Sequence, residues 1–316
     1  MGYNLMLSKI VTDKWKKSQI VSTKKLFRGF KFPIFEVEIK NPNKKIIIKI
    51  IEDKVFEKRG YLEKNVIKLI LSKFPDFPVP KIIKFDDSKQ LIKFSYIIEE
   101  KIPGEDLAEM NISKVKNKKE FVISLAKYAG QMNSITFDKF GYFNENIKIQ
   151  SKSWYDLVME ELSRYLDRIE QNNFLDKTTL TNVKKYIEKN KIIMKIKNKP
   201  RFIHNDYHGS NIKVSLDDNR CEITGIFDFE ICMSGDPIRE LYKAEWVLNN
   251  FPAQRKYFYQ EYSKYVKLPK NYKKRLEFYE LLGRLKHIQY RKKFETSSEG
   301  KKTIKEGIRV IKNIVN

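Results

Sequence analysis

Two aspartates and an asparagine, Asp206, Asn211 and Asp228, lie in one stretch, Phe202–Glu240, which reads FIHNDYHGSNIKVSLDDNRCEITGIFDFEICMSGDPIRE. Asn211 follows Asp206 by five residues, and Asp228 follows Asn211 by 17. Apolar runs of β type at Arg201–His204, Ile212–Leu216 and Ile223–Phe227 separate them. Each would therefore sit at the end of a short strand, where a sheet can aim it. Asp and Asn are hard oxygen ligands of the kind Mg²⁺ takes when phosphate oxygens complete its shell. Phosphoryl transfer asks for such a metal clamp, a lysine on the phosphates and a carboxylate aimed at the attacking hydroxyl. In that chemistry Asp206 would accept or orient the hydroxyl proton, while Asn211 and Asp228 would hold Mg²⁺.

The lysine comes from the first third of the chain. From Gln19 to Ile51, short alternating runs broken at Gly29, Pro33 and Asn41–Asn43 predict an antiparallel meander. In its third strand Lys49 lies between Ile48 and Ile50 and so faces the other way from both. From there its ammonium would reach the α and β phosphates, and burying it calls for a partner. A helix predicted over Lys54–Ser72 carries Val66, Ile67 and Ile70 three and four apart, and Glu63 shares their inward face. Glu57 is the rival partner. Strands are predicted at Lys81–Phe85 and Leu91–Glu99.

Beyond Ile97–Leu107 (IIEEKIPGEDL) the period turns helical. The predicted helices are Lys118–Ile135, Trp154–Gln171, Lys177–Ile196, Ile238–Asn250, Pro252–Val266, Asn271–Phe294 and Ile304–Val315. The fold class expected is α+β and bilobal: an antiparallel-sheet lobe with one helix over residues 1–99, then a larger helical lobe over 100–316.

Other polar residues near the stretch read mainly as scaffolding. His204 is a packed, hydrogen-bonded loop anchor, and Asp236 before Pro237 is an N-cap with Pro at the first helical position. Glu230 faces either a metal or solvent, and His208 carries no assigned role. Asp156, Glu160 and Glu161 could line a site for a cationic acceptor or pair with Arg164 and nearby lysines on a solvated helix; the second reading is favoured. Trp154 and Tyr155 read as core rather than as a stacking platform.

Composition narrows the class. The chain has 316 residues with 41% hydrophobic and 13% aromatic content, enough for two globular lobes despite 33% charged residues. The net charge of +24 is mostly lysine scattered along the whole chain rather than gathered in a stripe, so no specific nucleic-acid partner is expected. Cys221 and Cys232 form no CxxC pair and read as reduced thiols of a cytoplasmic protein. No apolar run approaches the roughly 18–20 residues of a membrane span, and the first residues lack a signal-peptide core.

The ordered set IHNDYHGSN, GIFDFE and SGDPIREL resembles the aminoglycoside phosphotransferase and choline kinase-like superfamily, small-molecule kinases with the protein-kinase-like fold. The resemblance covers about residues 20–250. The family's catalytic loop reads His-Gly-Asp, and Asn205 stands here in place of the Gly. The resemblance implies that IIEEKIPGEDL is the adenine-binding crossover, with backbone groups near Glu99–Lys101 receiving the purine. It also favours Glu63 over Glu57 as partner of Lys49. The nucleotide-covering loop expected between the first two strands holds only Gly29. No Ala-Pro-Glu segment follows Asp228, which sets protein kinases proper aside.

The implied activity is transfer of the γ-phosphate of ATP (or GTP), with Mg²⁺, to a hydroxyl of a small molecule. An aminoglycoside-type antibiotic is the first expectation, although a chain of net charge +24 is not built to attract polycations. Choline, an amino alcohol or a sugar is the alternative acceptor. A non-catalytic nucleotide-binding regulator is the reading from another class, opposed by the presence of Lys49, Asp206, Asn211 and Asp228 together.

Overall fold

Alternating apolar residues early in the chain and 3.6-residue periodicity later produce the two kinds of element the sequence suggests. The computed structural model describes residues 2–26, 33–149 and 153–316. The chain begins α1 (Tyr3–Lys14), β1 (Gln19–Leu26), β2 (Ile34–Lys40), β3 (Lys44–Ile51), α2 (Lys54–Lys73), β4 (Ile82–Asp86), β5 (Ser95–Glu100) and β6 (Glu105–Asp106). It continues α3 (Lys118–Ser134), β7 (Gly141–Tyr142), α4 (Trp154–Gln171), α5 (Lys177–Asn190), β8 (Arg201–Ile203), β9 (Ile212–Asp217), β10 (Arg220–Ile226) and β11 (Met233–Gly235). Helices α6 (Ile238–Leu248), α7 (Arg255–Tyr262), α8 (Tyr272–Ile288), α9 (Arg291–Phe294) and α10 (Ser298–Val315) complete it. These elements fall into two compact units.

The first unit comprises Met1–Leu125, Phe143–Lys148 and His208–Ile231. Its main sheet is antiparallel in the order β1-β2-β3-β5-β4, so the expected meander is present. One face is apolar: Phe35, Val37, Ile39, Ile46, Ile48 and Ile50 pack with Met6, Leu7, Ile10 and Val11 of α1. The pleat sends Lys49 to the other face. A smaller sheet has the order β10-β9-β6. Gly104, at φ +96°, lies against its middle strand, and a Cβ there would collide with the Val214 carbonyl.

The second unit comprises Ala126–Tyr142, Ile149–Tyr207 and Cys232–Asn316. A three-stranded sheet, β7-β11-β8, sits among its helices. Trp154 is core, as expected: it is buried and donates its indole N–H to the Tyr279 hydroxyl at 2.6 Å. Helix α6 approaches α8 closely because residue 283 is glycine; a Cβ there would lie 2.7 Å from the Tyr242 ring. Helix α10 packs on α8 at Gly307, where a Cβ would meet Ile288 and Arg284.

Several predicted boundaries shift for local reasons. The strand expected from Leu91 starts only at Ser95, because Asp86 accepts hydrogen bonds from the Ser88 amide (3.0 Å) and hydroxyl (2.7 Å) and holds a turn ahead of it. The helix expected over Pro252–Val266 covers only Arg255–Tyr262. The helix expected over Lys177–Ile196 ends at Asn190 and tightens into a 3₁₀ turn, and that expected over Asn271–Phe294 is interrupted after Ile288. The last helix begins at Ser298 rather than Ile304, because the Ser297 hydroxyl accepts from the Gly300 amide at 3.0 Å and caps it. Gly29 lies outside the described residues. Among those residues no helix is long and apolar enough to cross a membrane.

Candidate active site

Lys49 sits on β3 with its ammonium 3.0 Å from Glu63 and 2.9 Å from Glu99. Strand register explains the second contact: Lys49 faces Ile97 and Ile47 faces Glu99, so Glu99 is the diagonal neighbour on the lysine's face. Glu63 comes from α2, on the face that buries Val66, Ile67 and Ile70. Glu57 pairs instead with Lys89 at 3.0 Å. Burial alone would lower the Lys49 pKa, but the charges of Glu63 and Glu99 outweigh it and hold the lysine above its ordinary value. Burial raises the pKa of Glu99 against the pull of Lys49, and the charges of Glu63 and Asp228 add to the rise. Two carboxylates therefore close on one ammonium, and the charge of Asp228 reaches one of them, Glu99, a surplus of negative charge that suits a cation.

Asn211 and Asp228 belong to the same unit. The Phe227 amide donates to the Asn211 carbonyl at 3.2 Å, which sets Asn211 beside the residue preceding Asp228. Asn211 is buried, and Asp228 is held at φ 70°, a conformation uncommon for a residue with a side chain. Among the described residues no group of three or more His, Cys, Asp or Glu side chains is gathered to hold a metal. One carboxylate and one amide oxygen fit Mg²⁺ completed by phosphate oxygens and water, rather than an all-protein cage. Glu230, left between metal and solvent by the sequence, is buried and lies 3.8 Å from the Arg59 guanidinium.

The crossover segment is tied to its own sheet. The Glu100 amide donates to the Lys81 carbonyl at 3.0 Å and the Lys101 amide to the Lys45 carbonyl at 3.4 Å. The Lys101 ammonium pairs with Glu36 at 2.7 Å. Glu99, singled out for its backbone, thus contributes a carboxylate to Lys49 that sequence reasoning did not assign.

In the second unit, Asp206 follows β8 and stands 3.4 Å from the Lys243 ammonium. Lys243 is buried on α6, with its ammonium 4.3 Å from the centre of the Trp246 ring. Asn205, whose role the sequence left blank, has φ 67°. Glycine suits that left-handed backbone best, and Asn is among the side chains that tolerate it. Its side-chain oxygen accepts from Arg239 Nε at 2.9 Å, and its amide donates to Glu240 Oε2 at 2.9 Å. Arg239 closes on Glu161 with two bonds, 2.8 and 3.2 Å, and Glu161 also accepts from the Tyr142 hydroxyl.

This chain of bonds corrects the reading of Glu161 as part of a solvated face. It is buried, because the α4 face carrying Leu157, Val158 and Leu162 also carries residue 161, while Asp156 and Glu160 are exposed as expected. Burial would raise the Glu161 pKa, but Arg239 holds it below the ordinary value. Burial pushes Glu240 up to about 8 although the Asn205 and His204 amides bond to it; Asp206 adds to the rise. Asp236 lies one residue ahead of the cap expected of it: α6 starts at Ile238 with Pro237 at the N-cap, and Asp236, which accepts from the Ile238 amide at 3.3 Å, is buried against the Tyr279 hydroxyl at 2.8 Å and Arg275 at 3.4 Å. His204 is buried, as an anchor should be, and His208 Nδ1 accepts from the Ser210 amide at 3.2 Å.

The model of the phosphotransferase enzyme family (APH) matches residues 25–278. None of the curated proteins matches the sequence. Among solved structures, a thermostable mutant of aminoglycoside phosphotransferase APH(4)-Ia, in ternary complex with ADP and hygromycin B, aligns with TM-score 0.69 at 15% identity, covering 97% of both chains. APH(2")-IIia, in complex with GDP and kanamycin, aligns with TM-score 0.67 at 14% identity over 98% of both chains. A fructosamine-3-kinase-like protein of Thermobifida fusca aligns with TM-score 0.65 at 14% identity, covering 96% of this chain and 97% of the other. At these identities the likeness establishes a shared α+β, kinase-like fold.

Proposed function

This chain belongs to the phosphotransferase enzyme family and is a small-molecule kinase; from that premise we propose that it is an ATP- or GTP-dependent O-phosphotransferase in which Asp206 serves the acceptor hydroxyl. The observation that carries the reading is Lys49 clasped by Glu63 and Glu99, with the charge of Asp228 felt at Glu99. Residues 1–99 serve as the nucleotide-binding lobe and 100–316 as the catalytic and acceptor-binding lobe. Lys49 contacts the α and β phosphates, and Glu63 with Glu99 fixes its reach. Backbone groups around Glu99–Lys101 border the purine. Asn211 and Asp228 hold Mg²⁺, which when bound supplies positive charge to the phosphate oxygens.

Asp206 takes the proton of the acceptor hydroxyl. The hydroxyl oxygen forms a bond to the γ-phosphorus, the bond from that phosphorus to the β,γ-bridging oxygen breaks, and the nucleoside diphosphate leaves. Lys243, 3.4 Å away, holds the Asp206 carboxylate in place. Of the acceptors considered, a sugar-like alcohol suits the second unit better than an aminoglycoside. The carboxylates that a polycation would need are already neutralised: Glu161 on Arg239, Glu280 on Arg284, and Glu245 on Arg255. The test is transfer of labelled γ-phosphate to a panel of aminoglycosides, other hydroxylated antibiotics, choline and sugars. Asp206→Asn should abolish transfer and leave nucleotide affinity within about twofold. Turnover near wild type in that variant would refute the role of Asp206.

A further inference from the structure

The cations around Asp206 form a set in which all but one are matched. Arg239 is closed on Glu161 at 2.8 Å, Lys243 on Asp206 at 3.4 Å, and Arg284 on Glu280 at 2.7 Å. Lys286, on α8, is the remaining one, and among the described residues it has no hydrogen-bond or ion-pair partner. It lies one turn beyond Gly283, where α8 meets Tyr242, and Lys243 is the next residue along α6. Lys286 is partly buried and within the field of Lys243, Arg239, Asp206 and Glu161. Burial first, then the charges of Lys243 and Arg239, lower its pKa to about 8. Glu240, whose pKa burial raises to about 8, is engaged by the Asn205 and His204 amides and is not among the charges acting on Lys286. A desolvated ammonium without a partner is costly, and a fold keeps one where a ligand supplies the missing charge.

Resting on the phosphotransferase reading above, we infer that Lys286, with Lys243, seats an anionic group of the acceptor beside Asp206, so that the substrate is an alcohol bearing a carboxylate or a phosphate. The ammonium of Lys286 meets that group, while Asp206 faces the hydroxyl. Lys286 is thereby a specificity-determining residue, and a polycationic acceptor is disfavoured by the same charge.

Binding and transfer separate the inference from its premise. Glucose, gluconate, glucose 6-phosphate and glucosamine, and the shorter set glycerol, glycerate, glycerol 3-phosphate and serinol, are titrated calorimetrically into the protein saturated with Mg²⁺ and a non-hydrolysable ATP analogue. The expected result is that an anionic member of at least one set binds ten-fold or more tightly than its neutral and cationic counterparts. Carboxylate against phosphate is read from which member that is. Lys286→Met should remove the preference and Lys286→Arg should keep it. Equal binding within both sets, a preference for the amines, or a Lys286→Met effect confined to the nucleotide analogue would overturn the inference. Transfer of γ-phosphate from ATP to the same alcohols and the wider panel is scored separately and bears on the phosphotransferase reading alone.

Discussion

Replacing Lys49 by methionine separates what the lysine does for folding from what it does for chemistry. Its ammonium lies 3.0 and 2.9 Å from two carboxylates whose side chains are only 6% and 4% exposed. At an effective dielectric of about 20, each attraction at that distance is about 5.5 kcal/mol, set against a desolvation cost of several kcal/mol per ion. The cluster as a whole therefore sits near balance, but removing the ammonium leaves two buried carboxylates facing one another. Lys49→Met should cost about 3–5 kcal/mol at pH 7. The folded pKa of Glu99 is already raised by burial, and without the ammonium that opposes the rise it lies further above its unfolded value. The variant's deficit is then smallest below the unfolded carboxylate range and grows as pH rises through the folded values. Urea unfolding at pH 5 and pH 7 should show the gap between variant and wild type narrowing at pH 5. Adding Glu63→Gln and Glu99→Gln should restore most of the stability at pH 7 while phosphotransfer stays abolished. A single variant as stable as wild type at pH 7, or one equally destabilised at both pH values, would refute the argument.

Asp228→Ala should weaken affinity for the Mg-nucleotide at least ten-fold with little change in urea midpoint, and calorimetry with unchanged affinity would remove Asp228 as a metal ligand. Asn205→Ala should destabilise by about 1 kcal/mol more than Asn205→Gly, since both lose the bond from Arg239 but only alanine bears the cost of φ 67°; equal midpoints would count against that strain. Glu240→Gln should flatten the pH dependence of stability. With its folded pKa raised to about 8, wild type loses stability as pH rises from the ordinary carboxylate range to about 8, at about 1.4 kcal/mol per pH unit. Parallel curves for the two proteins across that window would show that Glu240 is ionised in the fold.

The sequence was most readable where a local pattern determines the outcome. The alternation in KKIIIKII put Lys49 opposite Ile48 and Ile50, and the helix period placed Glu63 on the face that meets it. It was least readable where partners depend on register or on distant segments. Glu99 reaches Lys49 because β3 and β5 pair with Ile47 opposite Glu99, an alignment that no single stretch encodes. Glu161 and Arg239 are 78 residues apart, and each alone resembles a surface charge. Asn205 carried a signal that could have been used: Asn in place of Gly is what a left-handed position tolerates. In α1, Met6, Leu7, Ile10 and Val11 recur at helical spacing, the pattern of an amphipathic helix, and all four are buried.

That first helix also shows that ancestry and cooperative folding draw different boundaries. The residues that mark kinship begin at 25, the penultimate residue of the edge strand β1. The apolar face behind Lys49 is closed by residues 6–11, ahead of that mark. Whatever stands in that leading segment must roof the same isoleucine-rich surface, so the stability of the sheet that carries Lys49 depends on residues outside the matched stretch.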